Sequence, residues 1–334
     1  MYKTMENSLL LSVVVITYNH EKYISQALDS VFSQKVSFDY EVLIGDDAST
    51  DNTSDILRCY KEKYPQIELF LREKNVGANY NVYELLSHSK GKYIAILDGD
   101  DFWCDDYKLQ KQVMFLEKNP EFVASTNKIV VVDEDGNETF KEVEWIKNKD
   151  IFTIDDFDGF HLPGQTSSIV KRNFFIDQVH DMSVIYRNHS FLGDRFSVLI
   201  YLCEGNFKCI DSVMSAYRIH DQDYKQNLTY LLTKDSSTRI EDEYKITVVM
   251  EKYANDKNKT VCLDGYKKKL LADLIEIYFR NATVKNKELL IKIYKDISDK
   301  RFSLSYIWDV LAKRIGIRGF LLFYYRKTKL SEGD

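Results

Sequence analysis

Between Leu11 and about Asp133 the chain alternates short apolar runs with amphipathic stretches, and this alternation constrains the fold more than any other feature. The runs cover residues 11–16, 41–44, 67–71 and 93–97. Between the first two, Tyr23, Ile24, Ala27, Leu28, Val31 and Phe32 recur at helical spacing, with Asn19 placed to cap the helix. Ile56, Leu57, Tyr60 and Tyr64 predict a second helix, opened by Thr50 or Asp51. Val82, Leu85 and Leu86 predict a third, closing near Gly91, a residue able to take the left-handed conformation. The expected class is α/β: a mostly parallel, doubly wound sheet.

After Phe122 the order changes. Residues 128–132 read as a strand, Asp135-Gly136 as a tight turn, 165–170 and 206–217 as further strands, and 195–203 as a helix between them. Beyond about Gln222 the strand signals fade into a helical appendage with polar breaks at 255–260 and 281–287. The length of 334 residues accommodates a main domain over 1–221 and this helical region over 222–334. Lys and Arg total 46 against 52 acidic residues, a net charge of −6, so there is no general attraction to nucleic acid or anionic lipid. The five cysteines, Cys59, Cys104, Cys203, Cys209 and Cys262, are odd in number and form no CxxC pair, which argues against a disulfide framework or structural zinc and fits a reducing cytoplasm. No apolar run approaches the ~18 residues of a membrane span, and the first residues lack a secretion-signal layout, so neither export nor a transmembrane helix is expected.

In an open parallel sheet, ligands bind beyond the carboxyl ends of the strands. There the sequence places Thr17, Tyr18 and Asn19; then Asp46, Asp47, Ala48 and Ser49; then Asp98, Gly99, Asp100 and Asp101. No two glycines are separated by a single residue, so a GxGxxG dinucleotide fingerprint is absent, as is a Walker lysine loop. A cation is the alternative. Asp98, Asp100 and Asp101 crowd three carboxylates into four residues, a repulsion that protons, solvent or a divalent ion must offset. Hard oxygens on a loop suit Mg2+ or Mn2+ shared with a substrate diphosphate. For Asn19 and Asp46 a turn-forming or capping role competes with ligand binding. Capping needs one oxygen, however, and not three carboxylates.

The segments SVVVITYNHEKYISQALDSVFSQ, EVLIGDDASTDNT, NVGANYNVY and GKYIAILDGDDFW, within Ser12 to Trp103, resemble the family 2 glycosyltransferases in order and spacing. The resemblance implies the A-type glycosyltransferase fold. It implies that Thr17, Tyr18, Asn19 and Glu21 line a nucleotide pocket, that Asp47, with Asp46 beside it, accepts from the base, and that Asp98 lies near the ribose and metal. Asp100 becomes the metal-binding member of a DxD pair, a role Asp101 is able to share. The base that takes the acceptor proton is expected at Asp194 in FLGDRFSVLIYL, and a single displacement of this kind inverts the anomeric centre. Many relatives carry Glu-Asp where this chain has Gly193-Asp194, and a helix-capping role for Asp194 remains the alternative. His220, in YRIHDQ, resembles a histidine that some relatives place near metal and diphosphate, or is a hydrogen-bonded structural residue. Thr166, Ser167 and Ser168 either face the sugar or pack, and Trp103 either stacks on a sugar or forms a wall.

The expectation is an inverting transfer of a sugar from a nucleotide-diphosphate donor, UDP-sugar favoured, to an acceptor hydroxyl. The acceptor is expected to be a lipid-linked glycan in surface-polysaccharide assembly. Residues 8–120 then form the nucleotide-binding half and 121–221 the acceptor-side half of the catalytic domain. Two alternatives stand beside it. Nucleotidyl transfer usually needs a glycine- and lysine-rich phosphate loop that is lacking here, and non-catalytic nucleotide-sugar binding is favoured if Asp194 lies far from the acidic cluster. Within 302–330, aromatic and aliphatic residues mix with Lys313, Arg314, Arg318, Arg326, Lys327 and Lys329 against the single acid Asp309. That composition suits peripheral contact with the inner face of the cell membrane, or a helix packed on the catalytic domain.

Overall fold

The computed structural model describes residues 9–147, 149–177, 179–187, 193–220, 237–280 and 282–297. The chain divides into two compact units, Met1–Thr229 and Tyr230–Asp334. The first begins with strict alternation: β1 (Leu11–Thr17), α1 (Ile24–Phe32), β2 (Tyr40–Asp46), α2 (Thr53–Lys63), β3 (Ile67–Leu71), α3 (Ala78–His88) and β4 (Tyr93–Asp98). β1 pairs in parallel with both β2 and β4, and β2 in parallel with β3. β1 is therefore central and covered on both faces. Val13 and Val15 pack with Ala27, Leu28, Val31, Leu57 and Leu109, while Val14, pointing the other way, packs with Leu43, Leu85, Leu86 and Ile94. Each such fully buried Val, Leu or Ile contributes roughly 1.5–3 kcal/mol.

The rest of the unit adds β5 (Phe102–Trp103), α4 (Lys108–Lys118), β6 (Phe122–Val132), β7 (Ile151–Phe152), β8 (Val170–Arg172), α5 (Val184–Arg187), α6 (Gly193–Glu204) and β9 (Asn206–Arg218). Among the described residues the nine strands form one sheet in the order β3-β2-β1-β4-β8-β6-β9-β5, with β7 on β9. β8 runs antiparallel to both β4 and β6, so the doubly wound parallel half continues into a mixed half. β9 runs parallel to β6 and brings its carboxyl end, Arg218, to the same edge as the ends of β1 and β4.

Several local expectations change. Asn19 does not cap α1, which starts at Ile24; it sits at φ 57° and ties two loops together instead. The third helix ends at His88, and Gly91 is needed for a close approach: a Cβ there would lie 2.5 Å from the backbone of Leu11 and Ser12. Residues 165–170 are not one strand. Thr166–Ser168 form a 3-10 turn and β8 begins only at Val170, because Gln165 turns the chain by accepting from the Ser167 N–H (2.6 Å).

The second unit contains α7 (Ser237–Asp256), α8 (Asp264–Arg280) and α9 (Val284–Asp296). Its helices are joined by an ion cluster in which the buried Lys267 lies 2.8 Å from both Glu251 and Asp296. Among the described residues no helix is long and apolar enough to cross a membrane. The basic, aromatic stretch 302–330 lies outside the described residues.

Candidate active site

The loop after β4 turns tightly, with the Asp101 N–H on the Asp98 carbonyl (3.0 Å) and the Gly99 N–H on the Ile16 carbonyl (2.8 Å). Gly99 is required by what it touches: a Cβ would stand 2.8 Å from Thr17 Oγ1 and 2.9 Å from His20 Nδ1. The loop is thus pressed onto the end of β1, and its three carboxylates point to different surroundings.

Asp101 is almost fully buried and saturated. Its Oδ1 accepts from the Arg218 N–H (2.9 Å), and its Oδ2 from Gln165 Nε2 (2.7 Å) and Ser167 Oγ (2.8 Å). Burial, with the charges of Asp100 and Asp98, pushes its carboxyl well above the usual range. Asp100 faces two imidazoles, with His220 Nε2 at 3.0 Å and His20 Nε2 at 3.9 Å from its Oδ2. Burial acts to raise its pKa, but these two neighbours overcome that and hold it at about 2. Asp98 has the weakest support, a 3.4 Å approach by Gln165 Nε2 and a bond from the Ser167 side chain. Burial first, then the charges of Asp100 and Asp194, push it up to about 7.

Asp194 therefore lies within electrostatic reach of the acidic loop. It occupies the first turn of α6, exposed at its surface yet surrounded by protein atoms. Burial raises its pKa above the ordinary aspartate value. The glycine before it has a local cause: a Cβ at Gly193 would meet Asn79 Oδ1 at 2.7 Å, so a larger residue fits only if that side chain moves.

The other nucleotide-pocket candidates are mostly tied to the protein itself. Asn19 Oδ1 accepts from the Thr50 N–H (2.8 Å), and Glu21 Oε2 from Asn52 N (3.0 Å) and Nδ2 (2.8 Å), which join the loops after β1 and β2. Asp46 accepts from the Ser49 N–H (3.2 Å) and from the hydroxyls of Ser49 and Ser54. Asp47 holds the N–H groups of Val76 (2.7 Å) and Gly77 (2.9 Å). Thr17 is buried beside His20, whereas Tyr18 stands exposed. Trp103 is a buried wall, with Nε1 donating to the Ser167 carbonyl (2.8 Å). Ser167 and Ser168 are fully buried and Thr166 half-buried.

Three residues that surround the acidic loop were not anticipated. His20 was visible in the TYNH stretch, one position past Asn19. Gln165 and Arg218 carried no sequence signal, because pairing of β8 and β9 into the sheet is what delivers them. Among the described residues, no three or more His, Cys, Asp or Glu groups are already gathered for coordination. That is compatible with an ion shared with a diphosphate, since Mg2+ commonly takes one or two protein carboxylates and fills its remaining positions with phosphate and water.

The family model described as glycosyl transferase family 2 matches residues 12–178, half of the chain. Uncharacterised proteins of Mycobacterium tuberculosis and Mycobacterium bovis are 35% identical over 187 residues, 55% of this chain and 49% of theirs, so the chain spans about half the length of these curated relatives. An uncharacterised glycosyltransferase of Methanocaldococcus jannaschii is 26% identical over 299 residues, covering 89% of this chain and 96% of its own. A Bacillus subtilis protein, the putative teichuronic acid biosynthesis glycosyltransferase TuaG, is 39% identical over 107 residues, 32% of this chain and 42% of its own. Among solved structures, S. aureus TarS 1-349 in complex with UDP-GlcNAc superposes with a TM-score of 0.62 at 18% identity, over 86% of this chain and 80% of that one. That likeness is one of fold.

Proposed function

Since the chain belongs to glycosyl transferase family 2, we propose that it is an inverting glycosyltransferase, moving a sugar from a nucleotide-diphosphate donor to an acceptor hydroxyl. One observation carries this reading: Asp98 is driven to about 7 by burial and by two further carboxylates, Asp100 from its own loop and Asp194 from a distant helix. Negative groups from separate elements thus converge on Asp98, with the His20 and His220 imidazoles beside Asp100 and Arg195 beside Asp194. Such a cluster fits a divalent cation, with Asp100, Asp98 and the His220 imidazole as the groups that would hold Mn2+ or Mg2+. When bound, that ion supplies charge neutralisation on a diphosphate leaving group. Asp101, with both oxygens already accepting, serves as a strut for the loop.

The chain's own residues do the rest. Thr17, Tyr18 and the loop tied by Asn19, Glu21 and Asp46 wall the crevice beyond β1 and β2, with Asp47 toward the base. Asp194 takes the proton of the acceptor hydroxyl as that oxygen attacks the anomeric carbon opposite the departing diphosphate, which inverts the centre. Its raised pKa makes it a stronger base than an ordinary aspartate. The field of Asp194 at Asp98 supports turnover over a binding-only role. A UDP-sugar donor is favoured by the UDP-GlcNAc in the TarS complex. A lipid-linked or other glycan acceptor in surface-polysaccharide assembly is favoured by the relative TuaG. With such an acceptor, the basic, aromatic 302–330 stretch supplies peripheral contact at the inner membrane face.

The test is a screen of UDP-, GDP- and dTDP-sugars with Mn2+, reading nucleotide release with and without chelator. Chelator-sensitive release with one donor class is expected. Release that is indifferent to chelator, or absent with every donor, would overturn the proposal.

A further inference from the structure

Arg218 closes β9 and is 3% exposed. Its Nε donates to the Asp100 carbonyl (2.8 Å), Nη1 to the carbonyls of Asp133 (2.9 Å) and Glu134 (2.8 Å), and Nη2 to Gln26 Oε1 (2.7 Å). Its own N–H donates to Asp101 Oδ1 at 2.9 Å. The guanidinium lies over the rings of Tyr23 (4.7 Å) and Phe102 (5.6 Å). One side chain thus meets the acidic loop, β5, the segment leading into α1, α1 itself and the turn after β6. Burying a guanidinium is costly, and an apolar side chain of similar volume would serve packing alone. The bonds it makes with the acidic loop are the informative ones: the side chain grips the backbone of Asp100, and the main-chain N–H holds the Asp101 carboxylate.

We propose that Arg218 is a positioning residue, whose fork of donors fixes the backbone of Asp100 and, through its own N–H, the carboxylate of Asp101. The Asp100 carboxylate is thereby held toward His220 and the crevice. This rests on the metal-dependent reading above, in which Asp100 holds the cation. Lysine does not replace it, because a single ammonium cannot span acceptors arranged around a planar fork. A loop freed by even about 1 Å would hold the cation and diphosphate out of register, an error that costs on the order of 10²-fold in rate.

The full chain is compared as wild type, Arg218→Lys and Gln26→Ala. UDP binding is measured by calorimetry in Mn2+ and in chelator, turnover is titrated with Mn2+, and melting is followed by circular dichroism. Arg218→Lys is expected to raise the Mn2+ needed for half-maximal turnover about tenfold and to lower kcat by roughly 10²-fold. UDP binding in chelator should stay unchanged. Gln26→Ala, which removes one acceptor, should shift the Mn2+ requirement in the same direction by a few-fold. Wild-type Mn2+ dependence in Arg218→Lys, or equal loss of UDP binding with and without Mn2+, overturns the assignment. Should Arg218→Lys not fold, an unaltered Mn2+ requirement in Gln26→Ala overturns it. Absence of Mn2+-dependent UDP binding in the wild type overturns the proposed function beneath it, and the two failures are therefore distinct.

Discussion

The loops after β2 and β4 flank the same central strand, and each ends its strand in aspartates, yet their oxygens are served very differently. After β2, the Asp46 and Asp47 oxygens are occupied by Ser49, Ser54 and the backbone of Val76 and Gly77. After β4, only Asp101 is served in this way. Asp100 is left to two imidazoles, and Asp98 to burial and to other carboxylates, which together raise it to about 7. Which aspartate is structural and which is poised depends on the donors that other segments deliver. Asp46-Asp47 and Asp100-Asp101 read alike as letters.

The sharpest way to break this contrast is Asp100→Asn, which should leave no metal-dependent nucleotide release above background; retained release would move the cation elsewhere. Asp194→Asn should lower turnover by roughly 10²- to 10⁴-fold while donor affinity, measured by calorimetry, stays unchanged. Full activity there would remove the proposed base. On the β2 side the effects should appear in stability. Asp47→Ala removes the carboxylate acceptor of the Val76 N–H and one of the two acceptors of the Gly77 N–H, which keeps Asn75 Oδ1; the cost should be about 1 kcal/mol, and urea unfolding should show it.

The smallest effect concerns pH. Burial acts to raise the Asp51 pKa, but bonds from Thr53 and from the Glu21 N–H outweigh it, and the folded value lies below the unfolded one. The stability it contributes is therefore complete above about pH 4 and is lost as pH falls through the folded value. Asp51→Asn should flatten the acid limb of a stability-against-pH curve in that range, and an unchanged limb would show that those donors do not favour the charged form.

Much of the first half was legible because its signals are local. Continuous apolar runs and period-3.6 patterns specify β1 to β4 and their helices, and the acidic loop follows directly from where β4 ends. Asn19 was misread as a cap because a left-handed asparagine leaves the same trace in sequence as a capping one. Residues 165–170 mimicked a strand, since a polar 3-10 turn running into Val170 has no distinguishing period. Gln165 and Arg218 were invisible for a deeper reason. Their partners lie 64 and 118 residues away, and only the sheet order makes them neighbours.

The central claim is that the β4 loop, unlike the β2 loop, is built to take a divalent cation against a diphosphate. The most direct measurement is the rise in melting temperature when UDP and Mn2+ are added together, compared among wild type, Asp46→Asn and Asp100→Asn, because a ligand that binds only the folded state raises its stability. The account predicts a rise in wild type and in Asp46→Asn, even from a lower starting point, and none in Asp100→Asn. An undiminished rise in Asp100→Asn would contradict it.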